Sequence, residues 1–341
     1  MARHYLVTGG AGFIGSNYAH RLIQRGEKVT IFDNLSRAGT PRNVAWLEES
    51  FGKNAFRLIV GDLRDADLLA ESAEDADVIV HLAGQVAVTT SVTNPRADFE
   101  ANALGTFNAL EAARLSQRDP VFIYASTNKV YGCMDEVELF EEATRWRYKD
   151  LVHGCSESQP LDFHSPYGNS KGTGDQYTRD YARIYGLRSV VFRQSCIYGP
   201  RQFGIEDQGW LAWMMIAAVT GRRITVYGDG KQVRDVLHVY DLLDAYDTAV
   251  EKIDFAKGQV YNVGGGTRNI MAIWAEFGPI LERLLGRKIE VARDEWRPGD
   301  QRVFYADFRK AQRELGWEPK IDLEEGMEML FEWVKANRGL F

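Results

Sequence analysis

The sequence has little of what marks disulfide-rich, metal-binding or membrane-spanning proteins. It contains three cysteines, Cys133, Cys155 and Cys196, which are far apart and lack the C-x-x-C spacing of a zinc site. We therefore expect no disulfide framework and no bound metal, and we expect a reducing compartment. No apolar run approaches the roughly 20 residues that cross a bilayer, and no signal-peptide pattern precedes the first strand-like segment. These absences predict a cytoplasmic protein with no membrane partner.

An excess of basic residues is also absent. The 341 residues include 41 Lys and Arg against 48 Asp and Glu, which gives a net charge of −7. Because nucleic-acid binders usually present a basic face, we do not expect a nucleic-acid partner. The apolar share of 45% and the charged share of 26% are ordinary for a globular chain. This length, with no Pro- or Ser-rich linker, predicts one large domain or two intimately joined ones.

Short apolar strands alternate with amphipathic helices in the first part of the chain. The strand-like segments are Tyr5–Val7, Val29–Phe32, Arg57–Val60, Val78–Leu82, Val121–Tyr124 and Ser189–Arg193. The helical segments include Ser16–Gln24, Asp65–Ser72 and Phe99–Leu115. Nearly continuous apolar strands that alternate with helices predict an α/β fold with a doubly wound parallel sheet. We assign this Rossmann domain to residues 1–200.

The rhythm changes after about residue 200. Short strand-like segments occur at Ile224–Val226, Val260–Asn262 and Lys288–Val291, and helical patterns occur at Trp210–Thr220, Val239–Glu251 and Ile270–Leu285. This mixture predicts a smaller α+β lobe over residues 201–341 that binds the substrate. The cut is approximate, because we expect later segments to return to the first domain.

A glycine-rich turn, Thr8-Gly-Gly-Ala-Gly-Phe-Ile-Gly15, joins the first strand to the first helix. Glycines permit a tight turn and a close approach of the backbone to a pyrophosphate, which the amides at a helix N-terminus bind. The spacing Gly-x-x-Gly-x-x-Gly differs from the commoner Gly-x-Gly-x-x-Gly, but the strand-to-helix context favours a dinucleotide site. The residues predicted to contact the cofactor here are Gly9, Gly12, Phe13, Ile14 and Gly15.

Asp33 ends the second strand and bears on the choice between NAD and NADP. A carboxylate at this position accepts hydrogen bonds from the ribose hydroxyls and repels a 2′-phosphate, which favours NAD. Arg37 lies close by in sequence and could hold a 2′-phosphate, so NADP stays an alternative. Further cofactor contacts are expected where strands end, because these ends line the cofactor crevice. They are Asn34, Asp62, Leu63, Leu82, Ala83 and Gly84.

Tyr167 and Lys171 are four residues apart on a predicted helix, so their side chains share one face. A free tyrosine has a pKa of about 10 and is a poor base at neutral pH. A nearby lysine cation favours the phenolate, so we expect Lys171, helped by the positive charge of the nicotinamide, to bring the pKa of Tyr167 into a working range. The pair is predicted to be catalytic and to contact the cofactor as well.

Together these motifs resemble the extended short-chain dehydrogenase/reductase family over nearly the whole chain. The resemblance implies that Thr127, three positions before Val130-Tyr131-Gly132, supplies the hydroxyl that hydrogen-bonds the reacting sugar oxygen. It also implies bound NAD. Asn102 matches a position that organises the active site in this family, although a purely structural role for it stays open.

Arginines near the end of the chain resemble the nucleotide-binding residues of relatives. Arg297-Pro298-Gly299-Asp300 is similar to the Arg-x-Gly-Asp with which UDP-galactose 4-epimerases bind diphosphate and ribose. Arg234 matches another diphosphate-binding position. Guanidinium groups suit this role because they form forked, charge-assisted bonds to phosphate oxygens. The resemblance therefore implies a nucleotide-sugar substrate held by Arg234, Arg297 and Asp300.

Within the family, several motifs are most similar to those of the CDP-tyvelose (CDP-paratose) 2-epimerase subgroup. Among them are Ser126–Gly132, Leu161–Gly168, Tyr198–Phe203 and Asp207–Trp210. This similarity favours a CDP-hexose. The residues it places near the substrate are Gln85, Thr127, Asn128, His164, Ser165, Cys196, Arg201 and Gln208. Cys196 stands where many 4-epimerases have asparagine, so their sugar contacts do not transfer to this chain.

An insertion, Cys133–His164, lengthens the spacing between Thr127 and Tyr167 relative to most of the superfamily. It could be a surface loop. Its position between two catalytic residues favours a wall or lid over the sugar, and the subgroup carries a similar insertion.

The pattern favours epimerisation over dehydration. Related 4,6-dehydratases carry Asp-Glu directly after the catalytic threonine, where this chain has Asn128 and Lys129. The hydrogen on C2 of a hexose is not adjacent to a carbonyl, so we predict transient oxidation of C2 by bound NAD, with hydride returned to the opposite face. The alternatives are a UDP-hexose 4-epimerase and a non-enzymatic NAD-binding sensor or scaffold. By resemblance we expect a homodimer or homotetramer.

Overall fold

Strands and helices alternate through residues 2–297 and 300–341, which are the residues that the computed structural model describes. The strands are β1 (His4–Thr8), β2 (Lys28–Asp33), β3 (Arg57–Val60), β4 (Val78–His81), β5 (Val121–Thr127), β6 (Leu139–Glu141), β7 (Trp146–Tyr148), β8 (Ser189–Gln194), β9 (Cys196–Tyr198), β10 (Ile224–Tyr227), β11 (Val233–His238), β12 (Val260–Val263), β13 (Ile270–Ala272), β14 (Val291–Asp294) and β15 (Val303–Phe304). The helices are α1 (Phe13–Gln24), α2 (Thr40–Phe51), α3 (Ala66–Ala73), α4 (Val88–Thr93), α5 (Pro95–Phe99), α6 (Gly105–Leu115), α7 (Ser165–Tyr185), α8 (Trp210–Thr220), α9 (Val239–Glu251), α10 (Ile253–Ala256), α11 (Phe277–Leu285), α12 (Arg309–Leu315) and α13 (Leu323–Ala336). A π-helical segment, Glu100–Leu104, joins α5 to α6.

The largest sheet has the strand order β3-β2-β1-β4-β5-β8-β12. Its pairs β1–β2, β1–β4, β2–β3 and β4–β5 are parallel. The order reverses direction between β1 and β4, and in sheets of this kind the ligand crevice lies at that point, outside the carboxyl ends of the strands. The predicted doubly wound α/β fold is confirmed. Every residue of β4 is buried, as expected for a parallel strand covered on both faces.

The chain divides into two compact units, neither of which is continuous in sequence. The first unit comprises the residues up to Val130 together with Ser165–Arg193 and Leu243–Tyr261, and the second comprises Tyr131–His164, Gln194–Leu242 and the described part of Asn262–Phe341. The division therefore differs from a linear cut near residue 200, because the insertion groups with later segments and most of α9 groups with the first unit.

Each unit has an apolar core of its own. In the first, Leu6, Phe32, Phe122 and Tyr124 pack together from neighbouring strands of the large sheet. In the second, residues of α8, α11 and α13 surround Met215, Phe277 and Leu330. Among the helices of the described residues, none combines the length and the hydropathy needed to traverse a bilayer.

The predicted helix Ile270–Leu285 is wrong in its first half. Ile270–Ala272 forms strand β13, which pairs antiparallel with β11, and the helix begins only at Phe277. All three residues of β13 are buried by this pairing. A short apolar run fits a strand and a helix equally well, so the distant partner strand decides the outcome.

Three other elements differ from their predicted form. The strand predicted at Val260–Asn262 belongs to the large sheet rather than to a separate lobe. The strand predicted at Lys288–Val291 begins only at Val291, where it pairs with β10. The helix predicted at Phe99–Leu115 is interrupted by the π-helical segment, which contains the buried Asn102.

Candidate active site

The glycine-rich turn between β1 and α1 leaves no room for a side chain at Gly9 or at Gly15. Gly9 has a φ of +66°, and a Cβ added to it would lie 2.7 Å from the backbone nitrogen of Ala83. A Cβ on Gly15 would collide with the carbonyl oxygen of Gly9. Helix α1 begins at Phe13 with Gly12 as its N-cap, and a glycine has no side chain to compete with an anion for the first-turn amides. The turn therefore has the shape that a dinucleotide diphosphate needs.

Asp33 is buried against the same turn. Its Oδ2 accepts a hydrogen bond from the Ala11 amide at 3.1 Å, and its Oδ1 accepts one from the Leu35 amide at 2.8 Å. Burial raises the pKa of Asp33, and these two donors act in the opposite direction. The adjacent Asn34 donates to Asp62 at 3.1 Å. The predicted ribose-binding carboxylate thus has a fixed position, and Asn34 is joined to a second predicted cofactor residue.

The residues that follow β4 are tied to the end of β1. The Leu82 amide donates to the Thr8 carbonyl at 3.1 Å, and the Ala83 amide donates to the Thr8 hydroxyl at 3.3 Å. Leu63 follows β3 and is buried. These predicted cofactor residues therefore follow the carboxyl ends of strands in one sheet, where the ligand crevice of this fold lies.

Asn102 connects the loop after β4 to helix α7. Its Nδ2 lies within hydrogen-bonding distance of the Gln85 carbonyl (3.0 Å), Asp98 Oδ1 (3.1 Å) and Ser170 Oγ (3.2 Å). A Cβ on Gly84 would collide with the amide oxygen of Asn102. These contacts give Asn102 a positioning role, and its direct contact with the cofactor stays a prediction.

Thr127, Tyr167 and Lys171 are buried side chains of the first unit. Thr127 ends β5, and the other two lie one turn apart near the start of α7. The Thr127 side chain lies near enough to the Tyr167 phenol to act on its pKa. Lys171 Nζ lies 4.4 Å from the ring centroid of Tyr124, and the Tyr124 hydroxyl donates to the Lys171 carbonyl at 3.1 Å. The structure thus places the predicted catalytic residues on adjacent elements of one unit.

Burial shifts the pKa values of Tyr167 and Lys171 in opposite directions. Burial raises the pKa of Tyr167 to about 12, although the Thr127 side chain acts to lower it. Burial also lowers the pKa of Lys171 to about 8, against the raising effect of the carboxylates of Asp175 and Asp98. Desolvation of the phenol is the largest cause of the rise in the Tyr167 pKa, and the prediction that Lys171 together with the positive charge of the nicotinamide brings Tyr167 into a working range stays a prediction. A further positive charge beside the phenol would favour the phenolate.

Asp175 anchors α7 one turn after Lys171. Its two carboxylate oxygens accept hydrogen bonds from Arg193 Nε and Nη2, both at 2.9 Å, and one of them also accepts from Ser126 Oγ at 2.8 Å. The Asp175 and Arg193 side chains are 0% and 3% exposed, so the pair is fully desolvated. Sequence reasoning missed Asp175. The available signal was an acid at i+4 from the catalytic lysine.

The first turn of α7 is fixed by two serines. Ser91 Oγ accepts a hydrogen bond from the Tyr167 amide at 3.1 Å. Ser165 has a φ of +71°, and its hydroxyl accepts from the Gly168 amide at 3.2 Å. Ser165 therefore caps α7, which carries the predicted catalytic Tyr167 and Lys171, while His164 directly before it is exposed. Sugar contacts from these two residues stay predictions.

Gln85 and Asn128, both predicted to contact the substrate, make local hydrogen bonds in the first unit. Gln85 Nε2 donates to the Ala87 carbonyl at 2.7 Å. Asn128 Oδ1 accepts from the Thr127 hydroxyl at 3.3 Å. Asn128 is thus a direct neighbour of a predicted catalytic group.

In the second unit, Arg234 and Asp300 are paired with each other. Arg234 Nη2 donates to Asp300 Oδ1 at 2.6 Å, and its Nη1 donates to the Val233 carbonyl at 2.7 Å. Arg234 is 5% exposed. Two residues predicted to bind the same nucleotide are therefore brought together, and the guanidinium is held rigidly.

Arg297 makes different contacts in the same unit. Its guanidinium lies 3.9 Å from the ring centroid of Tyr227 and forms a 3.2 Å ion pair with Asp207. Pro298 and Gly299, the central residues of the predicted Arg-x-Gly-Asp motif, lie outside the described residues.

The remaining predicted substrate residues lie on β9 and the segment that follows it. Cys196 pairs with Val236 of β11. Arg201 has a φ of +67°, and its guanidinium lies 5.8 Å from the ring centroid of Trp333. Gln208 donates its amide to the Ile205 carbonyl at 2.9 Å. Their contacts with a substrate stay predictions.

Comparison with known proteins assigns the family. The family described as GDP-mannose 4,6 dehydratase, an extended short-chain dehydrogenase/reductase family, matches residues 6–330. The chain belongs to this family. It is 42% identical over 340 residues to CDP-paratose 2-epimerase of Salmonella typhi. The aligned region covers 97% of this chain and 99% of that protein.

Solved structures of family members have the same fold. The UDP-glucose 4-epimerase of Thermotoga maritima with UDP-glucose has a TM-score of 0.83 and 30% identity, covering 98% of this chain and 99% of that one. A dTDP-glucose 4,6-dehydratase of Streptomyces venezuelae with NAD bound has a TM-score of 0.85 and 30% identity, covering 99% and 98%. Family members thus include both epimerases and dehydratases, so family membership alone does not select the reaction.

Proposed function

We propose that this chain is an NAD-dependent nucleotide-sugar epimerase that acts at C2 of CDP-tyvelose or CDP-paratose. The observation that carries the proposal is the 42% identity to CDP-paratose 2-epimerase over almost the full length of both chains. It is supported by the buried Thr127, Tyr167 and Lys171, since a protein that only sensed the cofactor would not need all three. That feature argues against the sensor or scaffold alternative.

The first unit fits a bound NAD. The glycine turn has no space for a Cβ at Gly9 or Gly15, which matches a backbone cradle for a diphosphate. Buried Asp33 offers carboxylate oxygens where an adenosine ribose would bind and where a 2′-phosphate would be repelled. When bound, NAD supplies the reversible hydride acceptor of the reaction.

Tyr167, Thr127 and Lys171 would handle the proton of the sugar 2-hydroxyl. In the proposal Tyr167 acts as the phenolate, which accepts this proton as C2 is oxidised, and the resulting phenol returns it when C2 is reduced on its other face. Thr127 would hydrogen-bond the reacting oxygen. Lys171 would stabilise the phenolate by its positive charge, although burial lowers the pKa of this ammonium to about 8.

Arg234, Arg297 and Asp300 of the second unit are proposed to hold the diphosphate and ribose of the nucleotide. The rigid, buried Arg234 guanidinium supports this role, because a preorganised cation loses little entropy when it binds a phosphate. The preference for cytidine rests on the 2-epimerase relative alone.

The second candidate is a UDP-hexose 4-epimerase, which the likeness to the Thermotoga maritima enzyme favours. A dehydratase fits less well, because Asn128 and Lys129 follow the catalytic threonine where related dehydratases have an acid pair. Neither side chain is a carboxylate, so the acid pair of those dehydratases has no counterpart at these two positions.

One experiment separates the candidates. The purified protein is incubated with CDP-, UDP-, GDP- and dTDP-hexoses, and the products are identified by chromatography and NMR. Inversion at C2 of a CDP-hexose supports the proposal. Inversion at C4 of a UDP-hexose shows instead that the chain is a UDP-hexose 4-epimerase. The nucleotide released on denaturation is quantified in parallel, and NADP as the main species would contradict the cofactor assignment.

We further propose a homodimer or homotetramer that acts in the cytoplasm. Helices α5 to α7 expose large aromatic side chains, with Phe99 57%, Tyr177 47% and Phe107 40% exposed, and the rings of Phe107 and Tyr177 lie 6.1 Å apart. Exposed apolar patches of this kind mark association surfaces. The three cysteines are thiols rather than disulfides, which fits a reducing compartment.

A further inference from the structure

The insertion Cys133–His164 is built into the second unit and not suspended as a loop. Its hairpin, β6 and β7, is a two-stranded ribbon, which on its own would be marginally stable in water. Tyr148 of this hairpin is 4% exposed, and Cys155, farther along the insertion, is 0% exposed. The packing that makes the hairpin stable therefore comes from the rest of the second unit.

One set of contacts fastens the insertion to the segment that follows Asp300. The Tyr148 hydroxyl donates to the Val303 carbonyl at 2.9 Å. The Cys155 amide donates to the Tyr305 carbonyl at 2.8 Å, and the Asp307 amide donates to the Cys155 carbonyl at 2.8 Å. The chain just after Asp300 is thus held at several successive residues.

A second set fastens the same hairpin to the turn that leads into β11 and Arg234. Trp146 Nε1 donates to Asp229 Oδ2 at 2.8 Å, and the Trp146 amide donates to the Lys231 carbonyl at 3.2 Å. Lys231 Nζ forms a 2.7 Å ion pair with Glu141 of β6. The turn before Arg234 is therefore held by the same hairpin.

Trp146 contacts both segments at once. The Arg302 guanidinium lies 5.0 Å from the Trp146 ring centroid. The two segments also pair directly, since the Val233 amide donates to the Arg302 carbonyl at 2.8 Å and Arg234 lies opposite Phe304. The hairpin thus bridges the two pieces of chain that bring Arg234 to Asp300.

We propose that the insertion is a fixed brace that sets the position of the Arg234–Asp300 pair, and thereby the affinity for the nucleoside diphosphate of the substrate. The proposal rests on the proposed role of Arg234 and Asp300 in nucleotide binding, and the wall or lid over the sugar stays the alternative prediction. The physical reason is preorganisation, because a cation already held in place binds a phosphate without an ordering cost. Trp146 and Tyr148 are positioning residues, acting through the segments that they hold.

The test is the affinity for CDP and for CDP-glucose, measured by calorimetry on the NAD-loaded protein. In Trp146→Ala the two affinities should fall together by about tenfold or more, equivalent to about 1.4 kcal/mol, while NAD content and kcat stay close to wild type. Tyr148→Phe keeps the ring, removes the hydroxyl that contacts the Val303 carbonyl and Met134 Sδ, and should weaken the binding of CDP less. If Trp146→Ala does not fold, Tyr148→Phe provides the test in its place. Phe140→Ala is the matched control, because Phe140 lies on the same hairpin and is 43% exposed.

The outcomes separate the brace from the alternatives. Unchanged CDP affinity in both folded variants would overturn the brace, as would a loss confined to CDP-glucose, which is the behaviour of a lid over the sugar. Failure of the wild type to bind CDP would count against the proposed function instead. In that case the variants are compared with the nucleoside diphosphate that the wild type binds best, so the brace is still tested.

Discussion

Asp98 accepts a 2.6 Å hydrogen bond from the hydroxyl of Ser170, the residue directly before Lys171. The carboxylate is 1% exposed, and its other oxygen accepts from Asn102 at 3.1 Å. Burial raises the pKa of Asp98 against the effect of these donors. A buried acid therefore supports the helical turn that carries Tyr167 and Lys171, and its charge raises the pKa of both residues.

The first prediction follows from that charge. Asp98→Asn removes a negative charge, so the pKa of Lys171, which is about 8 with Asp98 present, should fall. Lys171 then loses its proton at lower pH, and the alkaline limb of the kcat–pH profile should move towards neutrality. Asp180→Asn, an exposed acid on the same helix, should leave the profile in place. If Asp98→Asn instead lowers kcat equally at every pH, and the alkaline limb of the profile stays in place, Asp98 contributes only packing and not charge.

The second prediction concerns the proposed base. Tyr167→Phe keeps the buried ring and removes the oxygen that accepts the sugar proton, so kcat should fall by about 10² to 10⁴, the usual contribution of general acid–base catalysis. NAD content and the circular dichroism spectrum should not change. Tyr177→Phe, a 47% exposed position on the same helix, is the control. Turnover of Tyr167→Phe within about tenfold of wild type would remove the phenol from that role.

The third prediction concerns stability. Asp175→Asn leaves the Arg193 guanidinium buried without its carboxylate, and breaking a buried pair in this way costs about 3–5 kcal/mol. The free energy of unfolding, measured in urea, should fall by that order. Glu332→Gln, which breaks an exposed pair with Lys335, should change it by less than about 1 kcal/mol. Equal falls in the free energy of unfolding for the two variants would show that burial of the Asp175–Arg193 pair does not raise the cost of breaking it.

The fourth prediction concerns assembly. If the aromatic surface of α5 to α7 joins two copies, Phe107→Glu should place a charge in that interface and shift the mass measured by light scattering towards the monomer. Phe255→Glu changes a 61% exposed phenylalanine on α10 and should not alter the mass. A monomeric wild type would contradict the oligomer proposal, and an unchanged mass in Phe107→Glu would exclude this surface.

Local patterns predicted those parts of the molecule that depend on near neighbours in the chain. The glycine turn and Asp33 follow from strand ends and backbone geometry, and the Tyr167–Lys171 pair follows from helical spacing. Residues whose partners are distant were not predicted. Asp98 meets Ser170 across 72 positions of the chain, and no local pattern signals such a pair.

The same limit applies to β13 and to the ionisation of Tyr167. Ile270–Ala272 became a strand because β11 pairs with it, which periodicity cannot reveal. The rise in the Tyr167 pKa reflects burial, and the extent of burial depends on how the surrounding elements pack. A motif can name the reacting groups, but their electrostatics come from the packed structure.

The last prediction concerns the source of the hydrogen at C2. If C2 inverts by oxidation and re-reduction, the hydrogen that leaves the sugar returns to the same carbon, and solvent never supplies it. A reaction in heavy water should therefore give epimer with ordinary hydrogen at C2, and substrate deuterated at C2 should keep its label. Proton abstraction gives the opposite pattern, with solvent deuterium entering C2 as product forms. Proton NMR and mass spectrometry of the product distinguish the two.

Stoichiometric solvent deuterium at C2 would contradict a redox role for bound NAD. A C2 label that stays in place while the configuration changes at C4 would move the oxidised carbon to C4 and favour the UDP-hexose 4-epimerase.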